Sequence, residues 1–152
     1  MERILSVVLA FFTVTTSFSA ISDEQEAVEF LNSDKILGSN LPFSEAVRVG
    51  DVLFLSGQLG MVPETRKLAA GGIQGEALQT MTNIKNTLAS HGYSMADVVK
   101  CTVMLADIAE WAAFNEVYVK FFTPPYPARS AFATNGLAMN ARVEVECIAT
   151  TM

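Results

Sequence analysis

The chain has 152 residues, 51% of them hydrophobic and 17% charged, with a formal net charge of −6. That is ample apolar material for one compact core and too little charge for a disordered chain. A nucleic-acid partner demands a basic footprint, and with neither a Lys/Arg cluster nor a basic stripe in the sequence that class is disfavoured.

Met-Glu-Arg opens the chain, the apolar run Ile4 to Val14 follows, and small and hydroxyl residues continue to Ala20. An apolar segment of about ten residues falls short of the roughly 20 that span a bilayer and reads as a secretory signal. The expectation is a signal peptide over residues 1–20 and a single domain over 21–152. The mature protein would be periplasmic or secreted, without stable membrane association after cleavage; an uncleaved tether is the alternative.

Ser22 to Asn32 is polar, and Ser39-Asn-Leu-Pro-Phe-Ser44 reads as a loop. Ala46–Val49 and Val52–Ser56 flank Gly50-Asp51, the signature of a tight β-hairpin. In Ser56-Gly-Gln-Leu-Gly60 the glycines allow another backbone or a ligand to approach closely, and Pro63 to Gly72 is rich in turn residues. Gly71 to Gly75 lacks both a Walker lysine-serine pair and a preceding apolar strand, so it is read as a helix entry. Ala77, Met81, Ile84 and Leu88 recur at helical spacing over Gln74 to Ser90, and Gly92 stands where a C-terminal cap belongs.

Asp97 to Leu105 alternates as a strand, with Val99, Cys101, Val103 and Leu105 on one side. Asp107 is an N-cap candidate with Glu110 three residues on. Trp111, Phe114, Tyr118 and Phe121 form the expected buried stripe of a second helix that ends at Thr123-Pro-Pro125. Two late strands follow, Arg129 to about Ala133 and Arg142 to Thr150. On the last, Val143, Val145, Cys147 and Ala149 share one face while Arg142, Glu144, Glu146 and Ile148 share the other. Strands interrupted by two helices argue for an α+β fold with the helices on one sheet face. The other face is left to solvent or a subunit interface.

Cys101 and Cys147 lie on apolar phases and are read as buried thiols; a disulfide is the alternative if their strands are neighbours in an oxidising compartment. His91, the one histidine, falls in the last turn of the first helix, where a structural role is expected. A serine triad and a histidine metal site are both poorly supported.

Reactive equipment is therefore sparse. Pro127 presets the backbone ahead of Arg129, and a guanidinium suits two-point capture of a carboxylate. The bland reading is a structural ion pair between Arg129 and Glu144 or Glu146. On the functional reading, Arg129 holds a small carboxylate-bearing substrate while Glu144 orients or deprotonates a water. Ser56, at the end of an early strand, and Asn115, on the second helix, complete the constellation. Hydrolysis with so little machinery suits an already reactive substrate such as an imine.

Ser56-Gly-Gln58, Asp97 to Val103, Phe114-Asn-Glu-Val-Tyr118, Pro127-Ala-Arg-Ser130 and Val143 to Ala149 together resemble the YjgF/Rid family of reactive intermediate deaminases, over nearly all of the chain from about Leu41. The resemblance implies a chorismate-mutase-like α+β fold with a mixed sheet, a homotrimer with sites in intersubunit clefts, and hydrolysis of 2-aminoacrylate, as its 2-iminopropanoate tautomer, to pyruvate and ammonia. It implies neither cofactor nor metal. Arg129 falls on the family's carboxylate-binding arginine and Glu144 on the glutamate associated with the attacking water. Ser56, Gly57 and Asn115 match cleft-lining positions, and Glu146 is left as an ion-pair partner. Phe43 stands where the archetypes often carry tyrosine, and Ala131 where they often carry cysteine, so a more apolar pocket is expected. A protein that binds small carboxylates in the same cleft without turnover is the competing reading.

Overall fold

The computed structural model describes residues 27–33 and 41–151. The expected signal peptide lies outside the described residues. The first strand, β1 (Val28–Leu31), falls inside the segment read as merely polar. It pairs antiparallel with β2 (Ala46–Val49), and the facing pair Glu29 and Arg48 forms a 2.6 Å ion pair across the register. β2 and β3 (Val52–Leu55) form the expected hairpin. Beyond it come β4 (Gln58–Leu59) and a small hairpin of β5 (Met61–Val62) and β6 (Lys67–Leu68), which organises the turn-rich stretch.

Helix α1 spans Gly72–Ser90. Ala77, Met81, Ile84 and Leu88 are fully buried, each of the larger three worth roughly 1.5–3 kcal/mol against exposure. Its end is fixed by Gly92 at φ +85°, with Gly92 N–H donating to Ala89 O and Tyr93 N–H to Leu88 O. These are the two bonds of a Schellman cap. β7 (Val98–Leu105) follows, then α2 (Trp111–Tyr118), β8 (Ala128–Ala133) and β9 (Val143–Thr150).

The main sheet runs in the order β1-β2-β3-β9-β7-β8, with β4 also on β9. Its pairs are antiparallel except β7 with β8, which is parallel, α2 supplying the crossover. The α+β expectation holds. Val143, Val145, Cys147 and Ala149 are buried in the same core as α1 and Phe114 of α2. Among the described residues no helix packs on the opposite face, which carries Phe30 and Phe54, 71% and 44% exposed.

Three local expectations are corrected. β7 is irregular between Val98 and Lys100, so Val98 is buried and Val99 is exposed; a bulge shifts the alternation by one residue. Trp111 is 43% exposed, outside the buried stripe that Phe114 and Tyr118 do form. The cysteines are not free thiols: Cys101 and Cys147 face each other directly in the β7/β9 register, with Cα atoms 4.1 Å apart, and form a buried disulfide. Periodicity reported the face each residue occupies but not which residue lies opposite.

The cross-link spans 46 residues, for which loop-closure entropy gives a stabilisation of about 4 kcal/mol as an upper bound. The double variant Cys101→Ala/Cys147→Ala is expected to lose about 2–4 kcal/mol of unfolding free energy in denaturant titrations. The native protein should show no reactive thiol until it is unfolded and reduced.

Candidate active site

Arg129 occupies β8, the edge strand of the sheet, and pairs in register with Cys101 on β7. Neighbouring residues in register share a face, so its side chain lies on the helix side. There its Nη1 donates to Asn115 Oδ1 at 2.6 Å. The guanidinium carbon stands 4.8 Å from the Tyr118 ring centroid and 5.7 Å from that of Trp111, a cation–π setting that leaves the rest of the fork free. Neither Glu144 nor Glu146 touches it, which removes the structural ion-pair reading. A cavity of about 360 Å³ opens beside it, lined by Asn115, Tyr118, Val119, Tyr126, Pro127 and Arg129. Burial pushes the Tyr118 hydroxyl above its ordinary pKa, and the Arg129 charge pulls the other way.

Glu144 is placed differently. It sits on β9 opposite Met104 and Leu59, on the face without helices. A Cβ at Gly57 would collide with its carboxylate, so a glycine is needed for the side chain to lie over the β3–β4 junction. Burial, and after it the Glu146 charge, raise the Glu144 carboxyl above its ordinary pKa. Glu146 is exposed and forms no ion pair among the described residues; Arg142, expected beside it, pairs with Glu110 instead.

Ser56 and Phe43 line a second cavity, of about 530 Å³, with Phe30, Leu41, Pro42 and Val47. The Ser56 hydroxyl donates to Ser44 O at 2.6 Å. Its single proton is thereby committed, and only acceptor capacity remains for a ligand. Ala131 shares the Arg129 face and packs at the edge of the core. The predicted residues thus fall into two groups within one chain: Arg129, Asn115 and Ala131 on the helix side, and Gly57 with Glu144 on the bare face, with Ser56 and Phe43 in the cavity beside the latter.

Tyr118 is buried in the core, as expected, and also lies under the Arg129 guanidinium; Trp111, assigned to the same core, is the second ring within reach of that cation. Their helical spacing to Phe114 looked like one apolar stripe, and only the third dimension shows two of the rings bracketing a cation. Among the described residues, no group of three or more His, Cys, Asp or Glu converges as a metal site.

Residues 34–151 match the family described as Endoribonuclease L-PSP. The chain belongs to this family, the YjgF/Rid family. It is 40% identical to Reactive Intermediate Deaminase A, chloroplastic, of Arabidopsis thaliana over 134 residues, 88% of this chain and 70% of that one. It is 44% identical to the 2-iminobutanoate/2-iminopropanoate deaminase of Capra hircus, over 71% of this chain and 79% of the relative. The crystal structure of RidA from the Antarctic bacterium Psychrobacter sp. is 38% identical and superposes with a TM-score of 0.76, covering 81% of this chain and 99% of that one.

The raised pKa of Glu144 has a consequence for stability. Ionisation is disfavoured in the fold relative to the unfolded chain, so stability present below the ordinary carboxylate pKa is lost as pH rises through the higher folded value. Glu144→Gln removes that loss. Its thermal midpoint should match wild type below about pH 4 and exceed it at pH 7; a variant less stable than wild type at pH 7 would contradict the burial argument.

Proposed function

We propose that the protein is a deaminase that hydrolyses 2-imino acids, the tautomers of reactive enamines such as 2-aminoacrylate, to 2-oxo acids and ammonia. The observation that carries this reading is the Arg129 guanidinium, oriented by Asn115 and the Tyr118 ring and opening into a cavity. Two charge-assisted hydrogen bonds from the free fork hold the substrate carboxylate. Glu144, its basicity raised by burial, takes a proton from water as the new C–O bond forms at the imine carbon. It returns that proton to the nitrogen, giving a carbinolamine; the carbinolamine hydroxyl then gives its own proton to Glu144, which passes it to the nitrogen, and the C–N bond breaks as the C=O bond forms, releasing ammonia and the 2-oxo acid. Ser56, already donating to Ser44 O, offers a lone pair to the imine N–H. The relatives' names agree with this chemistry. An RNA-cleaving role gains no support from a net charge of −6.

Arg129 and Glu144 occupy opposite faces of one sheet, so a site that uses both needs two chains. We read the active form as a homotrimer, a closed ring in which the bare face of one copy meets the β8 edge of the next. The apolar residues on that face support this arrangement. Export of the mature chain, with removal of the first 19 to 22 residues, is part of the same proposal; the disulfide is the bond expected of an oxidising compartment. N-terminal sequencing of the cell-derived protein tests the cleavage.

Freshly generated imines and an ammonia readout test the chemistry. Arg129→Lys keeps the charge but not the fork and should lose at least about tenfold in kcat/KM, and Arg129→Ala at least about a hundredfold, at one to two charged hydrogen bonds. Both should remain folded. Co-refolding Arg129→Ala with Glu144→Ala in equal amounts should restore about a quarter of wild-type activity, the share of interfaces that join two intact residues in a closed ring. Absence of any recovery would refute the shared site. A wild type that binds 2-oxo acids without releasing ammonia would be a carboxylate-binding protein.

A further inference from the structure

We infer that Val119 and Tyr126 are specificity-determining residues that select 2-imino acids with bulky apolar side chains, branched or aromatic, over the three-carbon imine. This rests on the proposed deaminase reading for its reaction, but on the cavity itself for its selectivity. The cavity at Arg129 measures about 360 Å³. A three-carbon imino acid has six heavy atoms. Even at the ~30 Å³ that a liquid water occupies, such a molecule would fill roughly half of that space.

The walls decide what belongs in the remainder. With the carboxylate on the Arg129 fork and Asn115 occupied by that same guanidinium, the other lining residues are Tyr118, Val119, Tyr126 and Pro127. None carries a formal charge at neutral pH. The Tyr118 ring is fixed under the guanidinium, and Pro127 is conformationally locked. Val119 and Tyr126 are the adjustable surfaces, 44% and 53% exposed and both lining the cavity. Val119 begins the turn after α2, and Tyr126 directly precedes Pro127 on the approach to β8. They therefore approach the space beside Arg129 from two different segments.

A three-carbon substrate would leave these apolar surfaces wet, whereas a branched or aromatic side chain would displace water from them. Each extra methylene in such a pocket discriminates by about 10–200-fold. In the ring proposed above, the bare face of a neighbouring copy would meet this edge, and the Leu41, Pro42 and Phe43 that line its cavity would add to the same preference.

The test compares imines generated from L-leucine, L-phenylalanine and L-alanine by an amino-acid oxidase, and measures calorimetrically the binding of 4-methyl-2-oxopentanoate and pyruvate to the same full-length preparations. Wild type should show kcat/KM at least tenfold higher for the two bulky imines and bind the branched oxo acid at least tenfold more tightly than pyruvate. Val119→Trp fills the space, and Tyr126→Ala removes one wall. Each should lower the bulky-to-small ratio at least tenfold in both measurements. Equal ratios in wild type and both variants, or a wild-type preference for the three-carbon imine, would overturn the assignment. Selective oxo-acid binding that responds to both variants, without ammonia release from any imine, would uphold the wall and reject the deaminase reading.

Discussion

A guanidinium on the edge of a sheet, steadied by one amide oxygen and a ring beneath it, is the interaction on which the rest of this structure depends. Arginine cannot shed its charge, so the fold must supply either a permanent carboxylate partner or a reason to leave the fork open. Here it supplies Asn115, a neutral acceptor at 2.6 Å, and the face of Tyr118. Both orient the cation without neutralising it. A carboxylate at the position of Asn115 would satisfy the same geometry and remove the site's appetite for an anion. The parallel β7–β8 pair with its α2 crossover is what makes this possible, because it brings a helix side chain from residue 115 over a strand residue at 129.

The same sheet keeps Glu144, the second half of the proposed site, from lying in the same place. Side chains alternate across a strand, and lateral neighbours share a face. Cys147, Cys101 and Arg129 lie in one row across β9, β7 and β8. Glu144 is three residues before Cys147 on an unbroken strand and points the other way. Gly57 leaves room for its carboxylate, and the low-dielectric surroundings raise its pKa, so each half is prepared independently. One sheet with chemistry on both faces is a reason to assemble, and the bare face with Phe30 and Phe54 offers a surface on which to do so.

Elements whose determinants are local were legible in the sequence. Gly50-Asp51 marked the hairpin, the spacing of Ala77, Met81, Ile84 and Leu88 marked α1 with its glycine cap, and alternation from Val143 to Ala149 sorted the faces of β9. What escaped depended on partners distant in sequence. β1, Val-Glu-Phe-Leu, is a four-residue, mostly apolar run inside a segment that is polar as a whole, too short to mark itself, and pairing with β2 makes it a strand. Val99 fell on the wrong face because a bulge adds a residue that alternation does not count. The disulfide required the register of two strands, and Trp111 required knowing that a cation stands over its ring. Arg129 and Glu144 were each legible as candidates, but their placement on opposite faces was not, since no single strand contains both.

Support for the loop beside Ser56 comes from a buried carboxylate that no apolar pattern would reveal. Glu45 is 1% exposed, and such burial is tolerable only when the charge is richly hydrogen-bonded. Its carboxylate accepts from the Ser33 backbone and hydroxyl, both at 2.6 Å, and from Thr87 Oγ1 at 3.0 Å, with His91 Nε2 3.8 Å away. Its backbone N–H donates to Asn32 Oδ1, and its carbonyl accepts from Ser56 N–H. One residue thus ties the segment after β1, the last turn of α1 and the residue after it, and the end of β3 to the point where the chain enters β2. Phe43 and Ser44 immediately precede that point, so their position is set by a network anchored in the core rather than by the loop's own conformation. Removing the carboxylate would strand several donors at once, and the wall carrying Phe43 and Ser56 would loosen before the Arg129 side of the site was disturbed.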